Sequence, residues 1–329
     1  MQTKDAAEVR IIRLLRAEGG QAVSGSAISA SLGISRAAVW KHIERLRLMG
    51  YDIDAQPRKG YSLDPDHSRP FNNVEIAASL KTSLVGRAVY YYPALASTNA
   101  TAFELGRANA PDGTVVIADS QTGGKGRLGR RWESPPGVNL YTSIILRPPV
   151  APVLAHHLTF VAAVSVAGAV AAFIGRRPAV KWPNDVLIDS RKVAGILLEM
   201  DSEPDRVNFV VIGIGVNANL KAKAMPSAIR DIATSLSMIT GHGVDRAALA
   251  CALYSELEKW YKIYLDGGLA PVLEAWRGWF ASEGKQVRVA AFGRTIDGVC
   301  AGVDVDGALL VRTQAGKVER VVSGDVETV

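Results

Sequence analysis

Residues 123–137 read GGKGRLGRRWESPPG, and the nature of this stretch decides which fold the middle of the chain can have. Gly124, Gly126 and Gly129 follow the G-x-G-x-x-G spacing of a dinucleotide-binding turn. Such a turn needs a strand before it and a helix opening directly after it, so that the helix N-terminus receives the pyrophosphate. Upstream, Thr114–Ala118 is a short β-branched run that reads as a buried strand. Downstream, Trp132 to Gly137 contains consecutive prolines, which lack N–H donors and force the preceding residue to extend. No helix can open there. The Walker phosphate loop is absent too, since no Gly-Lys pair is followed by Ser or Thr at the right spacing. This is not a Rossmann turn.

The charge of the loop suggests what it is instead. Lys125, Arg127, Arg130 and Arg131 precede the first acid, Glu133, and repel one another unless an anion joins them. The glycines between them let backbone N–H groups approach that anion closely. A passive surface loop is the plain alternative. The single sign of charge and the embedded Trp132 favour a loop that orders around a phosphate-containing ligand.

The chain has 329 residues, which suggests two or three domains, and its 48% hydrophobic content is ample for packed cores. A net charge of +6 is compatible with a polyanionic partner without demanding one. Cys251 and Cys300 have no metal-type spacing and the five histidines are scattered, so neither a zinc site nor a disulfide framework is expected. The opening MQTKDAAEVR lacks a signal-peptide pattern, and a cytoplasmic location is expected. Leu158–Ile174 is uncharged, but it is Ala-rich and sits at the lower length limit for crossing a bilayer of ~30 Å. It reads as a buried core helix, and no membrane association is expected.

Residues 1–65 have a texture of their own. Ala6–Ala17 is an amphipathic helix with Val9, Ile12 and Leu15 inward, and Ser26–Leu32 a second helix ending at Gly33. Ser35 caps a third, Arg36–Leu46, with Val39, Ile43 and Leu46 on one face and Arg36, Trp40, Lys41 and Arg45 on the other. Two short strands follow, Tyr51–Ala55 and Gly60–Leu63, joined by a tip carrying Arg58 and Lys59. This order is that of a winged helix-turn-helix. Ser35, Arg36, Trp40, Lys41 and Arg45 would face a DNA groove, while Arg58 and Lys59 touch phosphates. A small trihelical protein-interaction module is the competing reading.

Residues 64–70 form a polar, Pro-containing linker. From 66 to 283, strand-like runs (Ala88–Tyr92, Thr114–Ala118, Leu140–Ile145, Val180–Trp182, Val186–Ile188, Phe209–Asn217) alternate with helical ones (Asn99–Ala110, Ala155–Gly175, Arg246–Gly267). From 284 to 329 strands dominate, suggesting a small β-barrel. The middle alternation reads as an α/β or α+β domain of catalytic size, and the chain as a whole as α+β and multidomain. The middle domain concentrates unusual side chains. Ser97-Thr98-Asn99 can cap a helix or hold a polar ring. Lys181-Trp182-Pro183-Asn184-Asp185 sets a cation, an aromatic, an amide and a carboxylate beside strands. Lys192 lies on an otherwise apolar strand, where a cation is costly unless it meets an anion. Val211–Asn217 carries glycines against which a flat group can lie.

GGKGRLGRRW, KWPNDVLIDSRKVAGILLE and VIGIGVNAN, in this order and spacing, resemble the biotin–protein ligases. SRAAVWKHIERLRLMGYDI with KGYSL resembles the DNA-binding domain of the bifunctional class, the biotin operon repressors, and the C-terminal strands resemble that family's SH3-like domain. The resemblance implies a ligase-like catalytic domain that activates biotin with ATP and Mg²⁺ to biotinyl-5′-AMP. The biotinyl group would pass to a lysine of a biotin carboxyl carrier domain. It implies biotin contacts at Ser97, Thr98, Asn99, Gln121, Lys125, Gly126, Arg127 and Lys192, with Lys192, Arg127 and Lys181 catalytic. Gly124, Arg130, Trp132, Asn184 and Asn217 would serve ATP and the adenylate, and Asp185 the metal. Operator DNA and an adenylate-promoted homodimer are the further partners it implies, with Val211–Asn217 and neighbouring loops ordering around the adenylate.

Acyl-adenylate formation gathers negative oxygens, so positioned Lys and Arg lower its barrier without a covalent enzyme intermediate, and the mixed anhydride survives only where water is excluded. Two departures stand out. The family loop commonly reads G-R-G-R, and Lys125 replaces its first arginine, keeping the charge but losing the bidentate fork. The expected adenylate-covering segment, 218–235, has no aromatic residue, leaving Met225, Ile229 and Ile232 to supply apolar contact. A lipoate-type ligase and a regulator that senses ligand without catalysis are the competing functions.

Overall fold

The computed structural model describes residues 2–3, 6–65, 69–291 and 293–329; residues 66–68 of the expected linker lie outside the described residues. The N-terminal part contains β1 (Gln2–Thr3), α1 (Ala7–Ala17), α2 (Gly25–Leu32), α3 (Arg36–Leu48), β2 (Ile53–Gln56) and β3 (Gly60–Leu63). Ser24 and Ser35 cap α2 and α3 by accepting from Ala27 N and Ala38 N, and Gly33 ends α2 in the left-handed region. Val9, Ile12, Leu15, Val39, Ile43 and Leu46 are fully buried, as the helical spacing predicts, while α3 runs one turn fraction longer than read, to Leu48. The β2–β3 hairpin is fastened to the turn before α2 by reciprocal backbone hydrogen bonds between Val23 and Tyr61. Gly60 makes that closeness possible, because a Cβ there would lie 2.0 Å from Val23 O.

The middle of the chain adds α4 (Asn73–Ser79), β4 (Ala88–Tyr92), α5 (Thr98–Arg107), β5 (Val115–Ala118), β6 (Leu140–Leu146), α6 (His157–Ile174), β7 (Ala179–Lys181), β8 (Asp185–Ile188), β9 (Arg191–Ser202), β10 (Val207–Val216), α7 (Ser227–Arg230), α8 (Leu236–Thr240), α9 (Arg246–Gly267) and α10 (Leu269–Trp279). The sheet runs β1-β4-β5-β6-β10-β9-β8-β7, with β4–β5 parallel and its other pairs antiparallel. This is α+β, not a doubly wound parallel sheet. Helices α4, α6, α9 and α10 share one core with one sheet face, and α5 covers the other. Helix α6 is long and apolar enough to span a membrane by composition, but it is buried against α9 and α10.

Strand β10 alternates with period two. Val210, Ile212, Ile214 and Val216 enter the main core, while Val211, Gly213 and Gly215 face the α5 side. It pairs along its length with β6 and β9.

Strands β11 (Gln286–Ala291), β12 (Arg294–Val303), β13 (Leu309–Arg312), β14 (Val318–Val321) and β15 (Asp325–Thr328) form an antiparallel sheet in the order β14-β13-β12-β11-β15. β15, α4 and α10 were not anticipated from sequence. Neither chain-level boundary is a break in packing. Val74 and Ala77 of α4 enter the N-terminal core while Ile76 enters the central one. The Glu75 carboxylate, fully buried, receives Arg16 Nη2 at 3.0 and 2.8 Å and the Tyr51 hydroxyl at 3.2 Å. At the other end, Trp182 Nε1 donates to Gly307 O at 3.0 Å, and the C-terminal core is continuous with the central one.

Candidate active site

The α5 side of the sheet holds a cavity whose floor is built by register. Gly213 of β10 sits opposite Ser143 of β6 and Leu197 of β9, and Gly215 opposite Tyr141 and Gly195. A Cβ at Gly213 would fall 1.9 Å from Asn99 Oδ1, and one at Gly215 2.5 Å from Trp132 Cε2. The missing side chains therefore admit two others against the sheet. The flat group expected on this strand is here the protein's own Trp132 indole, whose Nε1 is buried with no hydrogen-bond partner.

One end of the cavity is polar. Ser97 precedes α5 but makes no capping hydrogen bond, so the plain N-cap reading does not hold for its side chain. Thr98 donates its N–H and hydroxyl to Gln121 Oε1 at 2.8 and 3.1 Å, and Gln121 Nε2 donates to Ser134 Oγ at 2.9 Å. Ser143 Oγ lies 2.8 Å from Thr98 Oγ1 and 2.6 Å from Asn99 Oδ1, and Asn99 Nδ2 donates to Glu199 at 2.7 Å. Such a buried network fixes the amide and hydroxyl orientations before any ligand arrives. Ser134, Ser143 and Glu199 were missed by sequence reasoning, because each is recognisable only once strand pairing places it beside Ser97–Asn99.

The other end is cationic. Lys125, Gly126, Arg127, Asn184 and Lys192 line the cavity together with Ser97, Thr98, Asn99, Gln121 and Trp132. Lys192 Nζ lies 2.7 Å from Asp185 Oδ1, an ion pair without hydrogen-bond geometry, and 5.3 Å from the Trp132 ring centroid. Arg127 reaches Asn184 Oδ1 at 3.2 Å and Gly324 O at 3.4 Å, with Asp325 Oδ1 3.9 Å away. Burial lowers its pKa, opposed by the carboxylates of Asp325 and Asp185. Arg130 is paired with Asp325 as well. The anion that the repelling loop calls for is thus supplied in part by the C-terminal sheet.

Five expected residues stand back from the cavity wall. Gly124 shapes the loop base, its carbonyl accepting Trp132 N–H, and a Cβ there would meet Trp132 O at 2.4 Å. Arg130 points to Asp325, and Lys181 lies opposite Asp185 in the β7–β8 ladder. Asp185 holds Lys192. Asn217 is buried and its Oδ1 accepts from Asn139 Nδ2 at 3.3 Å, Asn139 also accepting Ala218 N–H. In the segment after it, Met225 is only 2% exposed inside a small cluster of its own and Ile232 is 63% exposed, so Met225 does not face the cavity as expected. Ile232 O instead accepts Lys192 N–H at 2.8 Å, fastening the segment to β9. Among the described residues no group of three or more His, Cys, Asp or Glu could hold a metal.

On the N-terminal module, Ser35, Arg36, Trp40, Lys41, Arg45, Arg58 and Lys59 are all exposed. Arg45 departs from expectation in one respect, since it pairs with the buried Glu8 at 2.7 Å.

Residues 91–217 match the Biotin/lipoate A/B protein ligase family, residues 9–62 an HTH domain, and residues 284–328 the biotin protein ligase C terminal domain. The bifunctional ligase/repressor BirA of Bacillus spizizenii is 41% identical over 317 residues, covering 96% of this chain and 97% of that protein. BirA of Escherichia coli is 32% identical over 323 residues, covering 97% and 96%. The biotin protein ligase of Aquifex aeolicus, solved in complex with biotin and ATP, superposes with a TM-score of 0.66 at 28% identity, covering 74% of this chain and all of that one.

Proposed function

The chain belongs to the biotin–protein ligases of the bifunctional ligase/repressor kind, and from that premise we propose how its residues carry out the reaction. It activates biotin with ATP and transfers the biotinyl group to a protein lysine. The biotin carboxylate attacks the α-phosphorus of ATP and pyrophosphate leaves. The neutral amine of the carrier lysine then attacks the carbonyl carbon, and AMP leaves. The observation that carries the residue assignment is the cavity's polarity, a fixed amide and hydroxyl network at one end and cations at the other.

The biotin ring would lie at the Ser97–Asn99 and Gln121 end, matched by donors and acceptors already oriented. Lys125, Arg127 and Lys192 would then meet the carboxylate and the α-phosphate, where negative charge accumulates. For this, Lys192 exchanges Asp185 for the ligand. Mg²⁺ characteristically takes one or two carboxylates plus substrate phosphates, so the donor set fits an ion carried on ATP and steadied by Asp185. When bound, it neutralises phosphate charge. Trp132 and Asn217 would bound the adenylate side, and loop closure would exclude water from the anhydride. The fixed cation set argues against a ligand sensor without catalysis, and the named relatives argue for biotin over lipoate.

The N-terminal module makes the protein a DNA-binding repressor as well. One such module contacts a single half-site, so we propose an adenylate-promoted homodimer on operator DNA. We place the protein in the cytoplasm, where ATP, DNA and carrier meet, and read its C-terminal sheet as SH3-like. Mass spectrometry of an acetyl-CoA-carboxylase carrier domain incubated with the protein, ATP and biotin tests the enzymatic reading. A mass gain of one biotinyl group is expected; modification with lipoate and none with biotin would overturn it.

A further inference from the structure

Arg246 stands in an unfavourable place for a cation, directly after the N-cap Asp245 at the positive end of the α9 dipole. Groups from three separate segments nonetheless fix it. Nη1 lies 2.7 Å from Asp119 Oδ1 and 3.3 Å from Asn139 O, and the guanidinium carbon lies 4.2 Å from the centroid of Phe71. The side chains of Arg246 and Asp119 are 14% and 21% exposed, so water and salt screen the pair far less than a surface one.

Asp119 is the residue at which β5 gives way to the glycine loop, and its other oxygen accepts Gly137 N–H at 3.0 Å. One carboxylate thereby ties the start of the loop to its end, and Arg246 fixes that carboxylate. Asn139, whose carbonyl Arg246 also reaches, holds Asn217 and Ala218 through its side chain. Phe71 lies in the segment leading into α4. The next residue, Asn72, donates to Met49 O of the N-terminal module at 3.2 Å and caps α4 through Glu75 N. A single guanidinium touches the base of the loop, the support of Asn217 and the segment that seats the DNA-binding module.

We infer that Arg246 is a positioning residue that holds the base of the glycine loop closed and, through Phe71, makes that closure felt at the DNA-binding module. The inference rests on the ligase/repressor reading. Charge on Asp119 secures the loop, whereas the guanidinium over the Phe71 ring carries the second connection, because a planar, weakly hydrated cation covers a ring face more fully than an ammonium does.

The test uses the full chain with biotin and ATP, measuring adenylate formation, adenylate release and hydrogen exchange over residues 69–79. Arg246→Gln is expected to speed release about tenfold while formation changes much less, a split that general destabilisation does not produce. Arg246→Lys restores slow release, and Phe71→Leu keeps slow release but loses the ligand-induced exchange protection at 69–79. Should Arg246→Gln fail to fold, Asp119→Asn predicts the same rapid release from the other side of the pair. Wild-type release in both Arg246→Gln and Asp119→Asn, or full protection in Phe71→Leu, overturns the inference while leaving the ligase reading standing. Absence of adenylate in the wild-type protein overturns the ligase reading itself, and the inference with it.

Discussion

Two basic surfaces of this molecule await anions in different states. On the N-terminal module, Arg36, Lys41, Arg58 and Lys59 are exposed and make no ion pair among the described residues. In the cavity, Lys192 rests on Asp185 and Arg127 faces Asp325, a carboxylate that also holds Arg130 outside the cavity wall. The first set would displace mobile counterions on meeting DNA, an entropic and salt-dependent gain. The second must trade one protein carboxylate for a ligand oxygen. That exchange keeps these partly exposed charges compensated in both states. Catalysis should therefore respond weakly to salt where DNA binding responds steeply.

The sharpest way to break this contrast is Lys192→Ala. Adenylate formation should fall about 10³-fold, on the scale of removing one transition-state donor, and be followed as pyrophosphate release. Stability should change by no more than about 1 kcal/mol, because the Lys192–Asp185 pair is partly exposed. A variant that forms adenylate at the wild-type rate would falsify the assignment of Lys192 to the reacting centre.

Gly215→Ala attacks the cavity floor rather than its charge. The new Cβ would stand 2.5 Å from the Trp132 ring, so the indole must leave its place over β10. Overpacking of this kind costs about 1–3 kcal/mol, seen as a lowered Tm, with adenylate formation reduced in parallel. The effect should largely vanish when Trp132 is first replaced by Ala, since the two changes share one contact. Full additivity in that double variant would show that the indole is not what the glycine accommodates.

A smaller effect is expected from Asp325→Asn. Removing the carboxylate under Arg127 and Arg130 should leave the ligand-free loop several-fold more susceptible to trypsin after its arginines, by loss of a local tie. Biotin with ATP should restore protection by supplying the missing anion. Identical digestion of variant and wild type would remove the C-terminal sheet from control of the loop.

Legibility in the sequence followed the range of the interaction. The helices and hairpin of the N-terminal module were readable because Ser35, Gly33 and the spacing of Val39, Ile43 and Leu46 act within a few residues. The expected ligand contacts Ser97–Asn99, Gln121, Lys125–Arg127 and Lys192 were readable from the loop and from resemblance, and they line one cavity. Glu199, Ser143 and Asp325 were invisible for a different reason. Each gains meaning from a partner many residues away, as Asp325 does from Arg130, and no local pattern marks it. The role of Gly213 and Gly215 lay between these cases, since alternation exposed their common face but not that Asn99 and Trp132 would occupy it.

The least disruptive test lies within the DNA-binding surface, where one residue resembles the cavity cations. Arg45 is exposed, yet its guanidinium lies 2.7 Å from Glu8, a carboxylate that His42 Nδ1 also approaches at 3.1 Å. Lys41, one turn earlier on α3, has no such tie among the described residues. A cation that meets a phosphate in place of solvent ions steepens log K against log salt by about 0.9 per contact. Lys41→Ala should therefore flatten the salt dependence of binding to non-specific duplex DNA by close to that amount. Arg45→Ala should flatten it by clearly less, because its charge is already shared with Glu8 and part of its gain on DNA is lost in leaving that partner. Fluorescence titrations at a series of salt concentrations read both slopes. Equal flattening would mean that the Glu8 pair gives way freely, and the distinction between prepared and solvent-facing cations would then hold only inside the cavity.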